Sequence, residues 1–465
     1  MRAHEAGALH GDLGYREPPW LERPADINEM VEGLWSTTSE IASDGVLVCG
    51  GVRATDVARE FGTPTYVVDE TDFRARASAF RDAFADYDVF YAGKAFLCTA
   101  VARWIAEADL WLDVCTDGEL EVAVRAGVQP SRIGFHGNNK SEPELRRALQ
   151  IGVGRIIVDS VAEIDRLVGL TAAMNVTATV MVRVTAGVEA HTHEYIATAH
   201  EDQKFGLSIV MGDAFDAVQR LLAEPRIEVL GLHSHIGSQI FDTSAFEVAA
   251  RRLLALHRRV RAELGVELPE LCLGGGFGIA YTTQDDPQSP QTLARSLTEI
   301  IRHESEALGV PVPRLSVEPG RAIAGPATFT LYEVGTTKLV RLDGGGDRMY
   351  VSVDGGMSDN IRTALYDADY ACRVASRRSD ADPILGRVVG KHCEAGDVVV
   401  KHEFVPADIT AGDLLAVPGT GAYCRSMASN YNHVPRPAVV AVRDGRARLL
   451  VRRESVDDLL RLEVE

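Results

Sequence analysis

The sequence predicts an α/β chain, a (β/α)8 TIM-type barrel followed by a β-rich, sandwich-like or barrel-like C-terminal domain. Short apolar or β-branched runs alternate with amphipathic helical stretches from about Val89 to Glu318. Beyond Glu318 the strands come closely spaced between Gly, Asp and Pro turns, and few stretches look helical before the last residues. At 465 residues the chain is too long for one ordinary core and suits a barrel of roughly 250 residues plus a second domain.

Taken in order, residues 1–40 carry prolines, charges and little periodicity and read as an N-terminal arm. A strand at Val46–Cys49, a helix near Ala54–Phe61 and a strand at Pro64–Asp69 follow. The barrel strands are expected at Val89–Ala92, Leu110–Val114, Arg132–His136, Arg155–Asp159, Thr179–Val184, Glu228–His235, Glu270–Gly274 and Arg314–Glu318. Helical spacing between them is clearest at Ala95–Ala106, Ser141–Ile151 and Phe246–Leu264. The later strands are expected at Thr328–Val334, Tyr350–Asp354, Asp397–Lys401, Asp413–Val417, Ala438–Val442 and Ala447–Arg452. The expected division is therefore an arm over 1–40, a segment 41–65 contributing to the β domain, a barrel over 66–320 and the β domain over 321–465. A doubly wound sheet is the alternative, and the late β-only third argues against it.

Composition narrows the function classes. A net charge of −19 repels nucleic acid and anionic membrane, so neither is expected as a partner. No apolar run approaches the roughly 20 residues of a membrane helix, and the start lacks the layout of a secretory signal. Seven scattered cysteines without a CxxC pair fit a reducing compartment, so a cytoplasmic enzyme is expected.

The unusual residues fall at the C-terminal ends of the proposed barrel strands, where the loops of such barrels converge on one mouth. Strand one ends in YAGKA, which puts Lys94 just past the sheet; strand two ends in LDVCTDGE, strand six in HSHIGSQ, strand seven in LGGGFG and strand eight in VEPGR. A lone lysine at a strand end commonly just snorkels; an amine of lowered pKa there can instead form a Schiff base. GGGFG is not a dinucleotide fingerprint, because Ile279 stands where the third glycine belongs. It is either a tight turn or a close backbone approach to an anion. Together with EPGR it occupies the loops after strands seven and eight, the recurrent phosphate site of this barrel. His191 and His193 could suggest zinc, but their alternate spacing, without a cysteine or HExxH pattern nearby, leaves no metal expected. In the β domain the turn-rich clusters DGGMSDNIRTALY (354–366), GKHCEAGD (390–397) and GTGAYCRSMASNYN (419–432) carry specific polar and aromatic groups.

In order along the chain, YAGKA, HSHIGSQ, GGGFG, EPGR, GKHCEAGD and GAY…NYN resemble the diaminopimelate decarboxylase family of pyridoxal-phosphate enzymes, from about residue 45 to the C-terminus. The segment VEAHTHEYIATAHEDQKFG resembles the actinobacterial branch. Departures are Gly93, where many members have Ala, and Ala395, where Ser follows the glutamate.

The resemblance implies that Lys94 carries pyridoxal 5'-phosphate as a Schiff base. It implies that His235 stacks on the ring and that Ser238, Gly275, Gly276 and the Glu318–Pro319–Gly320–Arg321 turn hold the phosphate. It implies further that Glu318 pairs with the ring nitrogen, that Asp113 supports it, and that Tyr423 reaches the cofactor. Substrate contacts fall to Arg321, Arg362, Tyr366, Glu394 and Tyr423. The reaction implied is decarboxylation of meso-2,6-diaminopimelate to L-lysine, the last step of lysine biosynthesis. Cys393 is the implied proton donor, acting with Glu394 across a homodimer whose active sites are shared. The rivals are an ornithine or arginine decarboxylase, an alanine racemase, and a non-catalytic relative that keeps the cofactor. Arg362 speaks against the first, because a guanidinium matches a distal carboxylate and repels a distal ammonium.

Overall fold

A computed structural model describes residues 18, 20–188, 204–342 and 346–464. Its chain divides into two compact units, one of residues 76–278 and 287–322, the other of residues 1–75, 279–286 and 323–465.

The first unit is a closed barrel. Its strands are β1 (Asp88–Ala92), β2 (Trp111–Val114), β3 (Ile133–Phe135), β4 (Arg155–Val158), β5 (Ala178–Thr185), β6 (Ile227–His233), β7 (Glu270–Cys272) and β8 (Arg314–Val317). Each pairs in parallel with the next, and β8 returns to β1 through Ser316↔Asp88 and Val317↔Val89. That closure rules out the doubly wound alternative, whose sheet keeps two open edges. All eight expected strands are present. The short strand Leu207–Ser208 adds to the end of β5.

Local chemistry sets the helix limits. Ser141 caps Glu142–Ile151 through a reciprocal capping box with Glu144, and Gly152 ends that helix in a left-handed turn. The helix after β1 begins at Thr99, later than its periodicity suggests. Residues 93–98 form a turn, held by the Tyr91 hydroxyl donating to the Phe96 carbonyl at 2.7 Å.

The two ends of the barrel differ in chemistry. At the N-terminal end, Arg155 of β4 reaches Asp88 of β1 at 2.5 Å and Glu270 of β7 at 2.8 Å. Its guanidinium lies 4.9 Å from the ring centres of both Phe90 and Trp111. This buried, internally paired cluster plugs the base. The C-terminal end is left for a cavity.

In the second unit, Thr328–Arg341 is the central strand of a nine-stranded sheet. It pairs antiparallel with Thr65–Asp69, Leu414–Pro418 and Asp347–Val353. Thr65–Asp69, expected from the sequence to open the barrel segment at residue 66, thus hydrogen-bonds into this sheet and to Ala438–Arg443. Its alternation is satisfied by either sheet, and its partners lie far along the chain. The core joins Leu34, Trp35, Leu47, Val67, Phe329 and Val440.

Candidate active site

A cavity of 970 Å³ opens at the C-terminal ends of the barrel strands. Its lining includes Lys94, Asp113, His136, His233, His235 and Glu318. Lys94 lies two residues past β1 and is exposed in the cavity, as the YAGKA pattern requires.

Below it is a buried ionisable cluster. The Nε2 of His233 lies 2.8 Å from Glu318 Oε1, and that of His136 lies 3.5 Å from the same oxygen and 3.2 Å from Asp113 Oδ1. The two imidazoles meet edge to face, 5.1 Å apart. Cys272 at the end of β7 donates its thiol to Glu318 Oε1 at 3.2 Å. Among the described residues, both oxygens of Asp113 are buried without a hydrogen-bond partner. Burial, then the Glu318 charge, pushes the Asp113 carboxyl well above its usual range. Burial would raise Glu318 as well, yet the His233 and His136 contacts hold it well below. Asp113 approaches its neighbour so closely that a Cβ at Gly134 would meet its Oδ1 at 2.5 Å.

His235, half-buried above this cluster, accepts the Gly275 N–H on Nδ1 at 3.4 Å. Burial, then the Lys94 charge, depresses its pKa to about 3, so the ring is neutral. Ser238 accepts a hydrogen bond from Arg321 Nη2 at 2.7 Å, which joins the loops after β6 and β8. Between them the glycine turn after β7 carries Gly276 at φ +103°, where a Cβ would lie 2.4 Å from the Gly237 carbonyl. Only glycine fits such an approach. Lys94, Asp113, His235, Ser238, Gly275, Gly276 and Glu318–Arg321 therefore all belong to this end of one barrel.

The remaining candidates lie in the second unit. Its three turn-rich clusters interlock. His392 Nε2 lies 2.8 Å from Ser358 Oγ and its Nδ1 lies 3.2 Å from Asn432 Oδ1. Asp397 accepts the N–H groups of Met357 at 2.6 Å and His392 at 2.8 Å. On this frame Cys393 is exposed and Glu394 half-buried. Arg362 is buried at the start of the helix Arg362–Tyr366, with its guanidinium 5.8 Å from the Tyr423 ring centre. Tyr366, at the other end of that helix, is exposed. Tyr423 sits at φ +69°, a backbone region costing a bulky residue about 1–3 kcal/mol and found mainly where function fixes it.

Sequence reasoning passed over His136, His233, Cys272 and Tyr281. For the first three a usable signal existed, a histidine or thiol at the C-terminal end of a barrel strand. His191 and His193 lie outside the described residues.

The family model described as "Pyridoxal-dependent decarboxylase, pyridoxal binding domain" matches residues 70–325. The diaminopimelate decarboxylase of Mycobacterium tuberculosis is 54% identical over 444 residues, covering 94% of this chain and 99% of that protein. That of Mycobacterium leprae is 52% identical over 100% of both chains. The crystal structure of the diaminopimelate decarboxylase from M. jannaschii in co-complex with L-lysine aligns at a TM-score of 0.86 and 29% identity, covering 92% of this chain and 98% of that one. The Helicobacter pylori enzyme complexed with L-lysine aligns at 0.78 and 27% identity, covering 88% and 98%. This chain belongs to the pyridoxal-dependent decarboxylases and, among them, to the diaminopimelate decarboxylase family.

Proposed function

We propose that this enzyme uses pyridoxal 5'-phosphate to decarboxylate meso-2,6-diaminopimelate to L-lysine and CO2, the last step of lysine biosynthesis, in the cytoplasm. The barrel residues fit the cofactor. A lysine amine stands in the cavity, a glycine turn with room for no side chain packs against the Gly237 carbonyl, and a carboxylate lines the cavity. When bound, the cofactor supplies an electron sink for the pair left behind as CO2 departs.

The chain's own residues do the rest. Lys94 would hold the cofactor through its side-chain amine. Ser238, the backbone of Gly275 and Gly276, and the Glu318–Arg321 turn bind the phosphate. Neutral His235 covers one face of the ring. Glu318 keeps a proton on the ring nitrogen, with Asp113 beside it. Cys393 delivers a proton to the reacting carbon, acting with Glu394 in the site of the second subunit of a homodimer. Arg362, helped by Arg321, Tyr366 and Tyr423, takes the distal carboxylate, and Glu394 the distal ammonium.

The observation that carries the substrate choice is Arg362, a buried guanidinium with no carboxylate in ion-pair reach among the described residues. A buried charge without a counter-ion is costly, and a substrate carboxylate relieves it. Ornithine and arginine lack that group. Borohydride reduction of the loaded enzyme should fix the cofactor on Lys94, and the product from meso-diaminopimelate should be lysine with one CO2. A label on another lysine, or no lysine formed, contradicts the proposal.

A further inference from the structure

We propose that His233, together with Cys272 and with the His136 imidazole alongside, is a positioning group for Glu318: two hydrogen-bond donors converge on Oε1, so that Oε2 is left for the cationic N–H of the cofactor ring. This rests on the reading that Glu318 serves the ring nitrogen, and adds how the protein fixes and orients that carboxylate.

The geometry is asymmetric. His233 lies 2.8 Å, Cys272 3.2 Å and His136 3.5 Å from the single atom Oε1. No donor of the described residues reaches Oε2, although Glu318 lines the cavity. The Cys272 sulfur is itself fixed by the Gly274 N–H at 3.4 Å. His233 is fully buried and its Nδ1 has no hydrogen-bond partner among the described residues, so Nε2 is the nitrogen that donates to Glu318. Burial lowers the pKa of both imidazoles, that of His136 to about 4. Burial also raises the Asp113 carboxyl well above its usual range. Glu318 then has one oxygen tied down and the other open to the cavity. Charge-assisted hydrogen bonds of this kind are about twice as strong as neutral ones, and orientation decides which ligand atom benefits.

The test compares pyridoxal 5'-phosphate with its 1-deaza analogue, in which C–H replaces the ring nitrogen. Each is titrated into the full-length apoenzyme and the ratio of dissociation constants is taken. The variant His233→Leu should lower the preference for the natural cofactor by about 10-fold, and His233→Gln, which keeps an N–H donor, should hold it within about twofold. Equal weakening of both ligands, or an unchanged ratio, would overturn the proposal, because a residue that only shapes the wall does not sense the ring nitrogen. Should His233→Leu fail to fold, Cys272→Ala takes its place. It should lower the ratio by about threefold, and no change refutes the convergence on Oε1. The control Glu318→Gln separates the two layers. If it leaves the ratio unchanged, the ring-nitrogen reading itself fails; if it shifts the ratio and His233→Leu does not, only the positioning inference fails.

Discussion

Arg362 donates a hydrogen bond to the Tyr281 hydroxyl while its guanidinium lies 5.0 Å from the centre of that same ring. Tyr281 in turn meets Tyr370 edge to face at 5.1 Å. The fork is thus fixed by aromatic groups and neutralised by none of them. Replacing Arg362 by Ala should lower kcat/KM for meso-diaminopimelate by roughly 10²-fold or more, with cofactor affinity within about threefold of wild type. Steady-state kinetics and a cofactor titration check both halves. Parallel losses in the two would reduce Arg362 to a brace for its loop.

Removing the Cys393 thiol should leave the cofactor bound and cut turnover by about 10²–10⁴-fold, the usual range for an acid–base group. Its loop is held by His392 and Asp397 rather than by the thiol, so Cys393→Ala should fold normally. Mixing this variant with Lys94→Ala, each inactive alone, should restore activity if subunits exchange and sites are shared. Wild-type turnover in Cys393→Ala makes the thiol structural. No recovery after verified exchange places each site within one chain.

The barrel was readable because its strands are short, buried and bounded by turns, which leaves a strong local signal from Asp88 to Val317. The glycine turn after β7 was readable for the same reason, being a run of glycine at a strand end. Partnership was not. His136 and His233 reach Glu318 across about 182 and 85 residues of chain, and nothing local marks which histidine turns inward. In the second unit the strand Pro383–Val389 escaped notice because it opens with Pro and carries Gly386, whose Cβ would meet Val405 at 2.9 Å. The strand Thr328–Arg341 runs past its expected end at Val334, since a register shift between Val334 and Thr336 lets it change partners and continue.

Lys140 and Glu163 form a fully buried ion pair at 2.7 Å, and Lys140 also donates to the carbonyls of Gly137 and Ile157. This pair anchors the loop after β3, whose residues 137–139 line the cavity. Lys140→Met should cost about 3–5 kcal/mol in denaturant unfolding by stranding the Glu163 charge, and adding Glu163→Leu should recover much of it. A single variant as stable as wild type would show that the pair contributes nothing.

Burial raises the Asp359 carboxyl to about 7, although the Tyr332 hydroxyl and the Gly356 N–H donate to it. The folded chain therefore holds a proton that the unfolded chain releases near 3.8, the ordinary value of an aspartate carboxyl. Its contribution to stability is complete below that value and is lost as pH rises towards 7. Glu403, also raised to about 7 by burial, acts in the same direction. Denaturation midpoints at pH 5 and pH 8 should differ less in Asp359→Asn than in wild type. An equal difference in the two proteins would mean that Asp359 is ionised throughout.

The most direct measurement compares kcat/KM for meso-diaminopimelate, L-lysine, L-ornithine and L-arginine on one preparation, following CO2 release. A site whose buried Arg362 waits for a distal carboxylate should favour meso-diaminopimelate by roughly 10⁴-fold or more, since each rival leaves that guanidinium unpaired. Comparable values for ornithine and meso-diaminopimelate would contradict the account and assign the enzyme to amine-forming decarboxylation instead.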